Sequence, residues 1–134
     1  MRELPPFDPD LIARVLENGE TVTVTSVNQS MEPTLPIGAK VAVCAGSPTV
    51  GDVVLIRGYG TVILHRLIAK LALRGRGRWV HAGDAPGASG GLCRLHDVIG
   101  VTDLPRRVAS PRRRAELIAS AVVRAGLRRI ARFA

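Results

Sequence analysis

The run Thr21-Val22-Thr23-Val24-Thr25-Ser26-Val27 alternates β-branched side chains with a period of two. In an extended backbone that period sends successive side chains to opposite faces, so the run calls for a sheet with one face buried. Ala39 to Val43, Asp52 to Arg57, Thr61 to Ala69, Arg78 to Ala82 and Asp97 to Thr102 read in the same way. Asp52–Arg57 and Thr61–Ala69 form a hairpin across Gly58-Tyr59-Gly60, residues 69–74 extend the second strand or its partner, and Gly75-Arg76-Gly77 reads as a turn. About six or seven short strands between glycine-rich turns predict a mainly β fold, a small coiled sheet or partial barrel. Aromatic residues are 3% of the chain, so Val, Ile, Leu and Ala must build its core.

Two helices flank the strands. Asp8-Pro9-Asp10 supplies an N-cap, a proline in the first turn and an acid beside it, and predicts a helix over 9–18. Its apolar face is Leu11, Ile12, Val15 and Leu16, and Gly19 ends it. The second helix runs from about Pro111 to Phe133. On a helical wheel Arg113, Arg114, Arg124, Arg128 and Arg132 cluster on one side, opposite Ile118, Val122, Val123, Leu127, Ile130 and Phe133. The whole charge excess lies here. Residues 1–105 hold ten Lys/Arg and ten Asp/Glu, whereas residues 106–134 hold nine Arg and the single acid Glu116. The chain thus divides into a neutral β domain over 1–105 and a basic amphipathic helix over 106–134. A neutral domain with one basic end argues for tethering or docking rather than nucleic-acid binding. The helix would lie on an anionic membrane surface, on a partner, or on its own sheet.

Ser30 opens Ser30-Met31-Glu32-Pro33-Thr34-Leu35, and His65 lies within Thr61-Val62-Ile63-Leu64-His65-Arg66-Leu67-Ile68. A serine hydroxyl is a weak nucleophile near neutral pH, and a neutral imidazole beside it can take its proton. Asn28, two residues before Ser30, is placed to serve with the Ser30 amide as an oxyanion donor, and Met31 to contact substrate. Each residue alone also has a structural reading. Ser30 could cap a strand end, His65 could be a core histidine, and Asp84 could set an Asx-turn.

Taken together the motifs resemble the signal peptidases and the related self-cleaving LexA-type repressors. Ser30–Leu35 resembles the nucleophile box, Gly38-Ala39-Lys40-Val41-Ala42-Val43 the strand after it, and Gly51-Asp52-Val53-Val54 the next strand. Leu64-His65-Arg66-Leu67-Ile68 is similar to the His-Arg segment of the endoplasmic-reticulum and archaeal type. Gly83-Asp84-Ala85 resembles the Gly-Asp turn, and Val98-Ile99-Gly100-Val101 the closing strand. The resemblance implies the catalytic-domain fold of that superfamily, with Ser30 as nucleophile, His65 as base and Asp84 as the first acid of the Gly-Asp turn. It also implies an extended peptide substrate with small residues beside the cut bond. Two departures stand out. Ser89 occupies the place of the second acid, with Asp97 a weaker substitute. No stretch approaches the roughly 18–20 apolar residues that span a bilayer, and the first residues carry no apolar signal-peptide core.

The expected function is a serine endopeptidase that trims a leader or signal-like segment through a Ser30–His65 dyad assisted by Asp84. It would act in the cytoplasm, or at the inner face of the membrane if the basic helix attaches there. The alternative is a peptide-binding module that has lost turnover. The residues before Thr21 are too few for a helix-turn-helix, which argues against a repressor. Cys44 and Cys93 read as small apolar residues, and His65, His81 and His96 lack metal-ligand spacing, so neither metal nor cofactor is expected. The glycines from Gly83 to Gly91 lack a phosphate-loop ending and are expected to border the cleft and admit backbone near His65.

Overall fold

The computed structural model describes the backbone of residues 2–3, 8–58 and 60–133, with side chains described for 8–58 and 60–126. The order of elements is β1 (Arg2–Glu3), α1 (Pro9–Glu17), β2 (Val22–Thr25), β3 (Lys40–Cys44), β4 (Val53–Gly58), β5 (Thr61–Leu73), β6 (Arg76–Ala82), β7 (Gly91–Arg94), β8 (Val98–Thr102) and α2 (Pro111–Phe133). The strands form one sheet in the order β1-β2-β3-β8-β4-β5-β6-β7. Its neighbours are antiparallel except for the short β1–β2 pair. The sheet is not closed into a barrel.

The first helix forms as its caps dictate. The Asp8 side chain accepts from Leu11 N at 3.1 Å, Pro9 sits in the first turn, and Gly19 takes φ +84° just past the end. Ile12, Val15 and Leu16 are buried at helical spacing and pack with Val22, Val43, Val53 and Leu55 of the sheet. Leu11, expected on that face, is 39% exposed, and Ala13 is buried instead.

β5 is the spine of the molecule. Its first half pairs with β4 from Gly58↔Thr61 to Val53↔Arg66, and its second half pairs with β6 from Arg66↔Ala82 to Leu73↔Arg76. Between the halves the register slips at Leu67/Ala69. Leu67, Ile68 and Ala69 are consequently all buried, where strict alternation would expose one of them. The β5–β6 turn is Arg74-Gly75, with φ of 53° and 77°, one residue earlier than the expected Gly75-Arg76-Gly77. Two positive φ values suit the twist of a tight hairpin. Gly77 then lies inside β6, where a Cβ would meet Leu95 Cδ1 at 2.8 Å. Tyr59, in the other hairpin turn, lies outside the described residues.

Two features go beyond what the sequence reading settled. β7 (Gly91–Arg94) is a four-residue segment behind a glycine-rich loop, too short to carry strand periodicity, and it exists through its pairing with β6. The arginine-rich helix, whose resting surface the sequence left open, lies on the sheet. Leu117 and Ala121 are buried against Ile68, Ala69, Val80 and Ala82, with Ile118 beside them. Val122 and Val123 of the expected apolar face are 42% and 60% exposed. Leu127, Ile130 and Phe133, with Arg128 and Arg132, lie outside the described side chains. The close approach of α2 depends on Gly90, whose Cβ would fall 2.0 Å from Leu117 O, and Ser120 Oγ accepts from Gly90 N at 2.8 Å. Among the described residues no helix is long and apolar enough to cross a membrane.

Candidate active site

β2 ends at Thr25, and the chain continues into a turn fixed at several points. Ser26 N donates to Ala39 O at 2.8 Å and Gly38 N to Ser26 O at 2.7 Å, so the segment before Ser30 stays clamped to the start of β3. Met31 and Leu35 are buried in the core beneath α1 and anchor the turn from below. From above, the Gly83-Asp84-Ala85 turn lies directly on Ser30. Ala85 N donates to Ser30 O at 3.0 Å, and a Cβ on Gly83 would fall 2.1 Å from that same oxygen. Only glycine permits this contact.

The expected oxyanion pair is closed on itself. Ser30 N donates to Asn28 Oδ1 at 2.9 Å, an Asx-turn in which the Asn28 oxygen accepts and the Ser30 amide is engaged. Met31 is 1% exposed, a core anchor that also floors the cleft beside Ser30.

His65 stands on β5 opposite Val54. Its Nδ1 lies 2.8 Å from His81 Nδ1, and the two rings are tilted by 42° with centroids 5.1 Å apart. This is the hydrogen bond His65 makes among the described residues, and Ser30 Oγ makes none. Burial lowers the His65 pKa from its ordinary value to about 4, against the opposing charge of Asp84. At neutral pH the ring is therefore neutral, the form that can accept a proton.

The expected Asp84–His65 hydrogen bond is absent. Arg66 Nε donates to Asp84 Oδ1 and Arg66 Nη2 to Asp84 Oδ2, each at 2.8 Å, while Thr34 Oγ1 donates to Oδ2 at 2.6 Å. The reason is strand geometry. Arg66 follows His65 on β5 and points to the opposite face, and a buried guanidinium requires a carboxylate. Arg66 is 4% exposed, and its Nη1 also donates to Gly51 O at 2.7 Å and Pro105 O at 3.1 Å. Burial pushes the Asp84 pKa up, but the hydrogen bonds from Arg66 and Thr34 and the charges of Arg66 and Arg107 outweigh it. The carboxyl ends below its ordinary range. Asp84 reaches His65 through its charge. Ser89 is exposed, and Asp97 accepts from Arg94 N at 3.1 Å in the turn before β8.

A cleft of about 30 Å³ runs beside Ser30, lined by Val24 to Asn28, Met31 and Val62 to Leu64. Both walls are strand edges. Val24 and Thr25 pair with β3 on one side, and β1 reaches only Val22 and Thr23 on the other. Val62 to His65 pair with β4, and β6 joins β5 only from Arg66 onward. Among the described residues, neither wall has a strand on the edge beyond these limits.

The sequence reading missed His81, Arg66 and Thr34. Arg66 was findable, because a charged residue within an apolar strand calls for a buried partner. His81 is a polar residue in the apolar run Trp79-Val80-His81-Ala82, pairing with Leu67 one residue past Arg66. Gly91 makes room for its ring, since a Cβ there would meet His81 Cε1 at 2.9 Å. The glycine loop thus admits Ser30, His81 and α2, rather than bringing backbone to His65. Cys44 and Cys93 are free thiols, and burial first, then the charge of Asp97, pushes the Cys93 thiol up to about 12. Among the described residues no three His, Cys, Asp or Glu side chains gather as a metal site. No protein-family model, no curated protein and no solved structure matches this chain.

Proposed function

We propose that this protein is a serine endopeptidase of the signal-peptidase and LexA type, removing a leader or signal-like segment from a peptide or protein. The observation that carries the reading is the cleft at Ser30, bounded by two strand edges that carry no further strand among the described residues. An extended peptide laid between them would pair its main chain with both, which gives affinity without reading sequence. Its scissile carbonyl would come to Ser30. The cleft is narrow, about 30 Å³, which suits small side chains beside the cut bond.

In this reading Ser30 Oγ attacks the carbonyl carbon while His65 takes its proton. The tetrahedral intermediate collapses as His65 returns that proton to the leaving amine. Water then repeats the sequence on the acyl-enzyme. Substrate binding would draw Ser30 and His65 into hydrogen-bond contact, since such contacts often tighten only in the complex. Opening of the Asn28–Ser30 contact would free the Ser30 amide for the oxyanion. The outward side of α2, with Val122, Val123 and Arg124, is the surface that would rest on an anionic membrane.

A second reading is a peptide-binding module without turnover. It is favoured by Ser30 Oγ having no hydrogen bond among the described residues and by Asp84 being held by Arg66. Incubation with a peptide library, read by mass spectrometry, separates the two. The endopeptidase gives new termini with wild type and none with Ser30→Ala. Equal products from both, or retention of peptides without cleavage, would refute it.

A further inference from the structure

His65 has an orienting partner, and it is another imidazole. Two ring nitrogens in a hydrogen bond 2.8 Å long must divide the roles, one donating and one accepting. If His81 donates, His65 keeps its remaining proton on Nε2 and has no lone pair to offer a serine. If His65 donates, its Nε2 carries the lone pair and can act as a base. We propose that His81 is the positioning residue of the site, holding His65 by its Nδ1–H so that Nε2 keeps the lone pair that a base needs. This rests on the endopeptidase reading above.

Three observations support a built contact. His81 is 8% exposed and fixed in the ladder on both sides, opposite Leu67 on β5 and Gly91 on β7. Gly91 leaves room for the ring, with its absent Cβ 2.9 Å from Cε1 and 3.0 Å from Nε2 of His81. The carboxylate that would otherwise orient His65 is held by Arg66 and Thr34.

The proton balance is simple. When His65 Nε2 takes the Ser30 proton, the ring becomes an imidazolium and its Nδ1–H···Nδ1 hydrogen bond to His81 becomes charge-assisted. His81 gains no net proton and returns none. A neutral acceptor fixes the tautomer as a carboxylate does, but it stabilises the imidazolium less, leaving Asp84 as the nearby negative charge acting on that ring. Around His81 stand Arg57 of β4, Arg78 of β6, Arg94 of β7 and Asp97, which line the adjoining pocket of about 380 Å³. Replacing His81 by an acid would therefore strengthen the base and raise its pKa.

The test begins with ¹⁵N resonances of the imidazoles at neutral pH, in wild type and in Ser30→Ala. A protonated Nδ1 and a pyridine-like Nε2 on His65 in both proteins is the expected result, and it needs no substrate. Nε2–H on His65 would overturn the proposal whether or not any peptide is cut. Failure of wild type to cut any library peptide would instead overturn the endopeptidase reading and leave the tautomer result standing. With a cleaved peptide in hand, His81→Ala should lower kcat by about tenfold or more with KM little changed, since general-base catalysis is worth about 10²–10⁴-fold. His81→Asn, which restores an acceptor oxygen, should recover much of that loss, and His81→Asp should move the acidic limb of the rate profile to higher pH. Equal loss in His81→Ala and His81→Asn, with both folded by circular dichroism, would overturn the positioning role.

Discussion

Arg66 grips both oxygens of Asp84, through Nε to Oδ1 and Nη2 to Oδ2 at 2.8 Å each, in a pair whose side chains are 5% and 4% exposed. The same guanidinium donates to Gly51 O and Pro105 O, so one side chain joins β5, the loop before β4, the Gly-Asp turn and the segment after β8. Removing one partner leaves a buried charge unmatched. Asp84→Ala should cost about 3–5 kcal/mol in urea unfolding, as Arg66→Ala should. Coupling in the double variant should make the two losses far from additive. A loss of activity with stability unchanged would instead make Asp84 an orienting acid of His65.

Stability should fall on acidification in two windows. The folded-state pKa of His65 is lowered from near 6.5 to about 4, so between those values the unfolded chain binds the proton and the folded chain does not. Its contribution is present above about pH 6.5 and is lost as pH falls towards 4. Asp84 and Asp52 lie below the ordinary carboxylate range: burial raises both, but the bonds from Arg66 and Thr34 to Asp84, and from Thr49 and Arg106 to Asp52, prevail. Their contribution is lost at lower pH, as it falls through their folded values. Thermal melts from pH 7 to pH 3 should show both declines. His65→Gln should flatten the upper one, and an unchanged upper window in that variant would contradict the assignment.

Gly83 sets the position of Ser30. A methyl group there would lie 2.1 Å from Ser30 O, so Gly83→Ala must push the Gly-Asp turn off Ser30 or move Ser30 itself. A displacement of about 1 Å can cost about a hundredfold in rate, and the proposed peptide cleavage should fall by that order while the protein stays folded. Gly126→Ala is the contrasting case. Nothing lies within 4 Å of the added Cβ and the residue is helical, so stability should rise by up to about 1 kcal/mol without change in activity.

Docking of α2 on the sheet rests on Leu117 and Ala121, 4% and 1% exposed. Leu117→Ala should destabilise by about 2–5 kcal/mol. Gly90→Ala should do comparable harm, because the added Cβ would strike the backbone of α2 at Leu117 O. Val123→Ser, on the 60% exposed side, should have little effect on urea unfolding. Equal effects from Leu117 and Val123 would mean that the helix is not docked in this orientation.

Much of the architecture was legible because its signals are local. Period-two runs gave β2 to β6 and β8 within a few residues, and Asp8, Pro9 and Gly19 gave α1. The span of α2 was legible as well, but its buried face was not. That face is chosen by the glycine at position 90 and by the apolar patch of Ile68, Ala69, Val80 and Ala82, neither of which lies in the helix. β7 was hidden for the same reason, since Gly91–Arg94 is a strand only because β6 offers an edge. At the site, Ser30 and the Gly83–Ala85 turn could be singled out by motif, and the structure brings them into contact. The partner of each ionisable group was less visible. Adjacent residues on β5 point to opposite faces, so His65 meets His81 while Arg66 takes Asp84. That division depends on pairing across β5 and β6, which no short segment encodes.

The proposed mechanism requires Ser30 and His65 to act as one unit on a bound peptide. Its most direct measurement is kcat/KM on a single cleaved peptide for wild type, Ser30→Ala, His65→Ala and the double variant. Each single variant should lose about a thousandfold or more, and the double variant should be no slower than the worse single. Cleavage by Ser30→Ala at the wild-type rate, or losses that multiply in the double variant, would contradict it.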